Sequence, residues 1–288
     1  MNKLSDNKLS TLKVFFFSEL EDVLGNRECK IYFQICCESW LAMSKSDLIL
    51  NADVLISESQ ILKFLYGVKK FKIHVPLAHV LEEQYFYGLK FKVNEHVLIP
   101  RPETEELVDL VIKENQGVKT VLDVGTGSGC VAVSIKKSLP LVAVSAVDIS
   151  KESIDVAYVN SLINNVKVDF IIDNALGFES AELLNAKWDV VVSNPPYIPL
   201  IERDQMDENV VGFDPDLALF VPDNEPLLFY NSIARWAKKT LTVDGKLYFE
   251  IHENFGKEVC GLLSEIGFSE VFLIQDLQGK DRIVKAII

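Results

Sequence analysis

The spacing of hydrophobic residues changes twice along the chain. Up to about residue 75 they recur three and four positions apart, which predicts helices around a small core. One of these segments begins at Ser57, a residue type that caps helices. Between residues 82 and 99 hydrophobic and polar residues nearly alternate around Gly88, which predicts a β-hairpin. A small helical region followed by a hairpin is therefore expected.

From Pro100 onward, short apolar runs alternate with helical stretches of about a dozen residues. Because fully apolar strands are typical of parallel sheets buried on both faces, the pattern predicts a doubly wound, mostly parallel α/β sheet of seven strands. The last two runs are joined by a short turn, so we expect them to be antiparallel. The seven runs are residues 120–125, 143–149, 168–172, 189–194, 246–251, 271–277 and 282–288.

Composition narrows the class of protein. The chain has 288 residues, 49% of them hydrophobic, which suits one large domain and a smaller one. A net charge of −13 weighs against a nucleic-acid partner, because binding that polyanion requires a basic face. We find no apolar run long enough for a membrane span or a signal peptide, so we expect a cytoplasmic protein that does not bind membranes.

Cysteine usage gives no sign of a metal site. The five cysteines are an odd number, form no C-x-x-C pair and have no histidine at ligand spacing. We therefore expect buried thiols, with neither a disulfide framework nor a bound metal.

A glycine-rich loop follows the first strand of the sheet. In "VLDVGTGSGC", Gly125, Gly127 and Gly129 allow positive φ and let a ligand approach the backbone, and the next helix offers free N–H donors. The spacing differs from the dinucleotide fingerprint. Asp148 ends the following strand, where its carboxylate could accept both hydroxyls of a ribose. Asp123, just before the loop, is expected either to hold the loop or to face an ammonium group. The alternative is a tight turn and a capping Asp without a ligand.

The fourth strand ends in "SNPPY". Pro195 and Pro196 cannot continue a strand, because each lacks the N–H that a ladder requires. Asn194 then lies at the carboxyl edge of the sheet, where open parallel sheets bind ligands. Its side-chain oxygen and the Pro195 carbonyl could accept both hydrogens of one NH₂ group, with Tyr197 packing on the group's plane. The pattern predicts a site for a planar amine, although a rigid strand-ending turn would look the same.

These segments resemble a known family. "LDVGTGSG", "VDIS" and "SNPPY", in that order, are similar to motifs of S-adenosylmethionine-dependent amino-methyltransferases, which have a Rossmann-like class I fold. The upstream "VLIPRPETEELV", together with "LYFEIHENFG" and "GKDRIVKA", resembles the release factor glutamine methyltransferases over essentially the whole chain. The resemblance implies methylation of the glutamine in the Gly-Gly-Gln loop of peptide chain release factors, with S-adenosylmethionine as donor and S-adenosylhomocysteine as product.

The resemblance also implies roles for individual residues and a division of the chain. A helical substrate-docking domain would span 1–80, a hairpin linker 81–98 and the methyltransferase domain 99–288, in a monomer. The catalytic residues would be Asn194, Pro195 and Tyr197. The glutamine would be held by these three with Pro196, and Arg101, Pro102, Glu103 and Thr104 would close one wall. The cofactor would contact Asp123, Gly125, Thr126, Gly127, Ser128, Gly129, Asp148, Ile149, Asp173 or Asn174, and Asn194.

Parts of these motifs have simpler explanations or depart from the family. "PRPETE" also fits an ordinary helix start with Pro102 in its first turn. Asp214-Pro215 stands where the family usually has Glu-Pro, and His252 and Asn254 stand where it often has glycine and glutamine. His252 is interpreted as a loop residue rather than a base, because the sequence assigns it no partner carboxylate.

Two other functions are compatible with the motifs. An adenine-N6 methyltransferase acting on nucleic acid could use the same amine site, but it would need a basic target-recognition region. A non-catalytic binding module could retain the fold, although the intact glycine loop and "NPPY" disfavour it. Binding of S-adenosylmethionine would distinguish that module from an enzyme.

Overall fold

A computed structural model of the protein describes residues 4–206 and 212–288. These residues form two compact units. The first comprises residues 4–82 together with residues 212 and 213, and the second comprises residues 83–206 and 214–288. Of the helices that the structure describes, none combines the length and apolar character that crossing a membrane requires.

The first unit is helical, as predicted. Helix α1 (Leu9–Leu41) is interrupted at Gly25, whose φ of 76° and ψ of 159° are not helical. It is followed by α2 (Lys45–Leu50), α3 (Glu58–Phe71) and α4 (Leu77–Leu81). Ser57 caps α3 in a capping box with Gln60, which confirms the predicted serine cap. The short helices α2 and α4 were not predicted, because five or six residues are too few to show a helical period.

Aromatic side chains form the core of this unit. Phe16 is fully buried and meets Phe33, Phe64 and Phe71 edge-on, with ring centroids 5.4 to 6.3 Å apart. Edge-to-face contacts of this kind are a favoured arrangement of aromatic rings. The core thus joins both halves of α1 to α3.

The second unit begins with the predicted hairpin. Strands β1 (Glu83–Phe86) and β2 (Leu89–Lys92) pair in antiparallel register around Tyr87 and Gly88. Both turn residues have positive φ, 49° and 71°, which suits the right-handed twist of a two-residue hairpin. The buried side chain of Asn160 accepts a hydrogen bond from Lys92 N–H and donates one to Lys92 C=O. It thus makes the two backbone hydrogen bonds that a neighbouring strand would otherwise make. The hairpin is thereby fastened to the helix that carries Asn160.

The seven-stranded sheet confirms the predicted fold class. Its order is β10-β11-β9-β6-β3-β4-β5, and neighbouring strands from β9 to β5 are parallel. Strand β11 is antiparallel to both β9 and β10, as expected for the last pair. The strands are β3 (Thr120–Val124), β4 (Ala143–Asp148), β5 (Asp169–Ile172), β6 (Trp188–Ser193), β9 (Leu241–Glu250), β10 (Glu270–Gln275) and β11 (Asp281–Ile287); β7 (Ile198–Pro199) and β8 (Phe220–Val221) form a separate small pair.

Helices cover both faces of the sheet, and two apolar clusters lie beneath them. The helix between β5 and β6 has only five residues, so the prediction of about a dozen residues is wrong there. The helices are α5 (Pro102–Glu114), α6 (Cys130–Ser138), α7 (Lys151–Ile163), α8 (Ala181–Asn185), α9 (Asp216–Leu219), α10 (Leu228–Thr240) and α11 (Gly256–Ile266), with a 3₁₀ turn at Leu200–Gln205.

The connections place a crevice beside β3. From β3 the chain proceeds outward to β4 and β5, and it then returns to β6 on the other side of β3. Ligand sites of open α/β sheets lie at such a reversal, outside the carboxyl ends of the strands.

Candidate active site

A cavity of about 320 Å³ opens at the carboxyl ends of β3, β4 and β6. Its volume is within the range that accommodates small ligands. Eight of the residues that the sequence suggested line it: Gly125, Gly127, Asp148, Ile149, Asn174, Asn194, Pro195 and Pro196.

The three loop glycines have different roles. All have positive φ, between 53° and 79°. At Gly125 and Gly127 an added Cβ would have no atom within 4 Å, so both leave open space where the loop borders the cavity. At Gly129 the added Cβ would lie 2.9 Å from the Cβ of Ala157. Gly129 therefore permits close packing of the loop on α7.

Asp123 holds the glycine loop, which was one of its two predicted roles. It is only 1% exposed, and its Oδ2 accepts from the Thr126 hydroxyl at 2.6 Å and from Ala132 N–H at 3.2 Å. Burial raises the pKa of Asp123 to about 7, against the lowering effect of these two hydrogen bonds. Thr126 is buried and directed to this carboxylate.

Asp148 connects the loop to the next strand end. Its Oδ2 accepts from Gly127 N–H and its Oδ1 from Ser150 N–H, both at 2.9 Å. Burial raises the pKa of Asp148, while these backbone hydrogen bonds oppose the rise. An ionised carboxylate has about four acceptor positions, so Asp148 retains capacity for ligand hydroxyls on the cavity side.

The two alternatives after β5 differ in the structure. Asp173 accepts from the backbone N–H groups of Asn174, Glu179 and Ser180, and so organises its own loop. Asn174 lines the cavity. The geometry therefore favours Asn174 for a ligand contact.

The "NPPY" segment leaves β6 immediately after its last residue, Ser193. The Ser193 hydroxyl donates to the Val124 carbonyl at 2.6 Å, which ties the ends of β6 and β3 together. Asn194 donates through Nδ2 to the Thr104 hydroxyl oxygen at 3.2 Å. Pro195 belongs to neither β6 nor β7, so its carbonyl is outside both strand ladders.

Glu250 is a site residue that the sequence interpretation missed. It ends β9, is 2% exposed, and receives the Thr104 hydroxyl on Oε2 at 2.7 Å and the Tyr197 hydroxyl on Oε1 at 3.2 Å. Burial raises its pKa; the hydrogen bonds from Thr104 and Tyr197 and the charge of Arg282 act in the opposite direction. An acidic residue closing an apolar strand, as at Asp148, was the signal available in the sequence.

Because of this contact, the Tyr197 side chain lies in different surroundings from those of Asn194, Pro195 and Pro196. Asn194, Pro195 and Pro196 line the cavity, whereas the Tyr197 hydroxyl turns to Glu250 and its ring packs with the adjacent apolar cluster. Burial raises the pKa of Tyr197 far above its ordinary value, which keeps the phenol a donor. The expected stacking of Tyr197 on a substrate remains a prediction.

The residues of "PRPETE" begin α5. Pro102 is its first residue, so the simple reading as a helix start is confirmed. Arg101 pairs with the buried carboxylate of Asp214, which also accepts from Ile99 N–H. Glu103 lies in the first turn, and Thr104 contacts Glu250. The preceding residues 95–98 line the cavity.

His252 has a carboxylate partner that the sequence could not assign. Its Nε2 lies 3.2 Å from Glu202 Oε2, in the 3₁₀ turn after "NPPY", and its Nδ1 accepts from Asn254 N–H. These contacts connect the segment after β9 to the segment after β6.

Several other lining residues are apolar and belong to no motif. They include Pro215, Leu217, Phe229 and Ile233, from α10 and the segment around α9. Nothing in their local pattern distinguishes them from core residues. Within residues 4–206 and 212–288, no group of three His, Cys, Asp or Glu side chains is arranged to hold a metal ion.

The strand order and the site at the carboxyl edge define a class I, Rossmann-like methyltransferase fold. The structure is similar to a methyltransferase from Pyrococcus furiosus, with a TM-score of 0.53 and 17% identity over 80% of this chain and 98% of that one. It is also similar to the hMettl16 catalytic domain, in complex with MAT2A 3′UTR hairpin 6, with a TM-score of 0.55 and 13% identity over 83% and 85% of the chains. These similarities support the fold alone.

Sequence comparison defines the family more closely. Residues 104–211 match the family model of the methyltransferase small domain. The chain is 40% identical to the release factor glutamine methyltransferase of Flavobacterium psychrophilum, over 94% of this chain and 95% of that protein. It is 35% identical to the one of Bacteroides thetaiotaomicron, over 96% and 99%. The chain belongs to the release factor glutamine methyltransferase family, which confirms the resemblance seen in its motifs.

Proposed function

We propose that this protein methylates the side-chain amide nitrogen of the glutamine in the Gly-Gly-Gln loop of peptide chain release factors, using S-adenosylmethionine. The observation that carries the proposal is one cavity lined both by the glycine loop with Asp148 and by Asn194 with Pro195. A donor site and an amide site must share a cavity if a methyl group is to pass between them directly.

The described residues fit the cofactor. Gly125 and Gly127 leave space that a Cβ would fill, and Asp148 faces the cavity with unused acceptor positions. Asp148 would receive the ribose hydroxyls, and Asn174 and Ile149 would border the adenine. Asp123, Thr126 and Gly129 would act through the loop that they hold in place, and Ser128 through its backbone carbonyl, which accepts from Asn160 Nδ2. When bound, S-adenosylmethionine supplies a methyl group on a positively charged sulfur.

Asn194 and Pro195 would bind the glutamine amide. Its nitrogen is a poor nucleophile, because the lone pair is delocalised into the carbonyl. Two acceptors, Asn194 Oδ1 and the Pro195 carbonyl, would receive the two N–H hydrogens and fix the direction of the lone pair. They would also stabilise the positive charge that develops on nitrogen, more in the transition state than in the ground state. Orientation would be their main contribution.

Tyr197 and Pro196 would complete the amide site, and residues 101–104 would support its wall. The helical unit would dock the protein substrate, and the exposed side chains of Val14 and Ile49, at 70% and 74%, offer it apolar contact surface. The protein would act as a cytoplasmic monomer, without a nucleic-acid or membrane partner.

Mass spectrometry tests the proposal. The protein is incubated with S-adenosylmethionine and a purified release factor, and the digest is searched for a gain of one methylene unit on the glutamine of the Gly-Gly-Gln peptide. The matched control is the same factor with that glutamine changed to glutamate, which should stay unmodified. A methyl group on another residue, or on adenine of added RNA or DNA, would contradict the proposal.

A further inference from the structure

The half-buried Asn194 and two buried side chains, Thr104 and Glu250, form a directed hydrogen-bond chain beside the cavity. Asn194 Nδ2 donates to Thr104 Oγ1 at 3.2 Å, and the Thr104 hydroxyl donates to Glu250 Oε2 at 2.7 Å. Thr104 and Glu250 are each 2% exposed, so bulk water does not compete for these groups. The three residues come from the end of β6, the start of α5 and the end of β9.

The direction of this chain is set at Thr104. Its hydroxyl carries a single proton, which it donates to Glu250 Oε2. The Thr104 oxygen can then only accept, and Asn194 must present its NH₂ group to it. The Tyr197 hydroxyl donates to the other oxygen, Oε1, and so uses the same carboxylate as an acceptor.

The consequence is a fixed orientation of the Asn194 amide. An Asn side chain is nearly symmetric in shape, and rotation by half a turn would exchange its oxygen and its NH₂ group. With Nδ2 occupied by Thr104, Oδ1 is the group left for a ligand in the cavity that Asn194 lines. The rotated side chain would instead present a donor to the ligand and leave the Thr104 oxygen facing another acceptor.

We propose that Thr104 and Glu250 are positioning residues that set substrate specificity: by locking Asn194 with its oxygen toward the substrate, they make the site select glutamine over glutamate. The inference rests on the proposed function. A glutamine NH₂ supplies two donors to Asn194 Oδ1 and the Pro195 carbonyl. A glutamate carboxylate has the same shape but only acceptors, so Asn194 Oδ1 and the Pro195 carbonyl would receive no hydrogen bond from it. Sites whose polar groups are left unpaired by the wrong ligand discriminate strongly against that ligand. A rotated Asn194 would satisfy glutamate in part.

Thr104→Val is the test substitution, because it is close to isosteric, removes only the hydroxyl and changes no charge. Calorimetry in the presence of S-adenosylhomocysteine measures the Kd of two peptides, one with Gly-Gly-Gln and one with Gly-Gly-Glu. We expect the natural protein to favour the glutamine peptide by about 100-fold or more. In Thr104→Val this ratio should fall at least about tenfold, and Thr104→Ser, which restores the hydroxyl, should recover it.

Thr242→Val is the matched control. Thr242 also donates its hydroxyl to a carboxylate, Asp189 Oδ1 at 3.0 Å, at the opposite end of β9. Its loss should leave the peptide ratio unchanged. Glu250→Gln is a second variant in case Thr104→Val does not fold; it offers one acceptor in place of two, so the ratio should fall as well. The Kd for S-adenosylhomocysteine should stay the same in every variant.

Each result decides the inference. A peptide ratio in Thr104→Val equal to that of Thr104→Ser would overturn it, as would an equal loss of affinity for both peptides. If the natural protein shows no preference for glutamine, the proposed function and the inference both fail. If it prefers and methylates glutamine while the variants keep the ratio, only the inference fails.

Discussion

At the scale of single residues, two buried carboxylates and one half-buried carboxylate organise the site. Asp123, Asp148 and Glu250 all lie at or near the carboxyl end of a strand, and each accepts at least two hydrogen bonds from the protein. Burying such groups costs free energy unless these bonds are made. The first two shape the loop beside the cavity, and the third orients the amide-binding segment.

Asp123 should make stability depend on pH. Its pKa is raised from 3.8 to about 7 in the folded protein, so the folded state holds a proton that the unfolded state releases. The contribution of this proton to the free energy of unfolding is complete below pH 3.8 and is lost as the pH rises to about 7. Between pH 5 and 7 the free energy of unfolding of the natural protein should fall by roughly 2–3 kcal/mol relative to that of Asp123→Asn.

The Asn variant is a suitable comparison, because one amide oxygen can accept both bonds that Asp123 Oδ2 now accepts. The free energy of unfolding is measured for both proteins by urea titration across this pH range. Their difference cancels the titration of all other groups. A difference that does not change with pH would contradict the account.

Asn194→Ala should separate binding from turnover. Loss of one acceptor at the amide nitrogen should lower kcat at least about tenfold, while the calorimetric Kd for S-adenosylmethionine stays within about twofold. Asn185→Ala, at an exposed residue of helix α8, is the matched control and should leave both values unchanged. Unaltered kcat in Asn194→Ala would refute the role of this amide.

At the scale of elements, the strands of the sheet were predictable and several helices were not. All seven apolar runs are strands, because β-branched residues bounded by polar or glycine-rich turns carry a strong local signal. Helices α2 and α4, with six and five residues, carry almost none, and α8, with five residues, is shorter than predicted. The glycine loop was predicted as a ligand contact, but Gly129 serves the packing of α7, which depends on a partner 28 positions away that no local pattern reveals.

Gly129→Ala should therefore destabilise the fold. Its φ of 79° disfavours any side chain, and the new Cβ would lie 2.9 Å from that of Ala157. We expect a loss of at least about 2 kcal/mol in the free energy of unfolding, measured by urea titration. Gly117→Ala is the control, because the added Cβ would have no atom within 4 Å; a change within about 0.5 kcal/mol is expected there. Equal effects would show that close packing at Gly129 is unimportant.

At the scale of the whole molecule, the site collects residues that are distant in the sequence. Thr104 and Glu250 are 146 positions apart, and Asn194 and Thr104 are 90 apart. Motifs at strand ends identified Asn194 and Asp148, because parallel strands end at one edge of the sheet. The contacts among Thr104, Glu250 and Tyr197 depend on side-chain directions that only the folded chain defines, so sequence patterns could not supply them.

The most direct test of the central claim is a crystal structure of the protein with S-adenosylhomocysteine and a Gly-Gly-Gln peptide. We expect the glutamine nitrogen within hydrogen-bond distance of Asn194 Oδ1 and the Pro195 carbonyl, with the cofactor sulfur on the other side of that nitrogen and the ribose on Asp148. A glutamine amide bound elsewhere, or a sulfur on the side of the sheet away from Asn194, would contradict it.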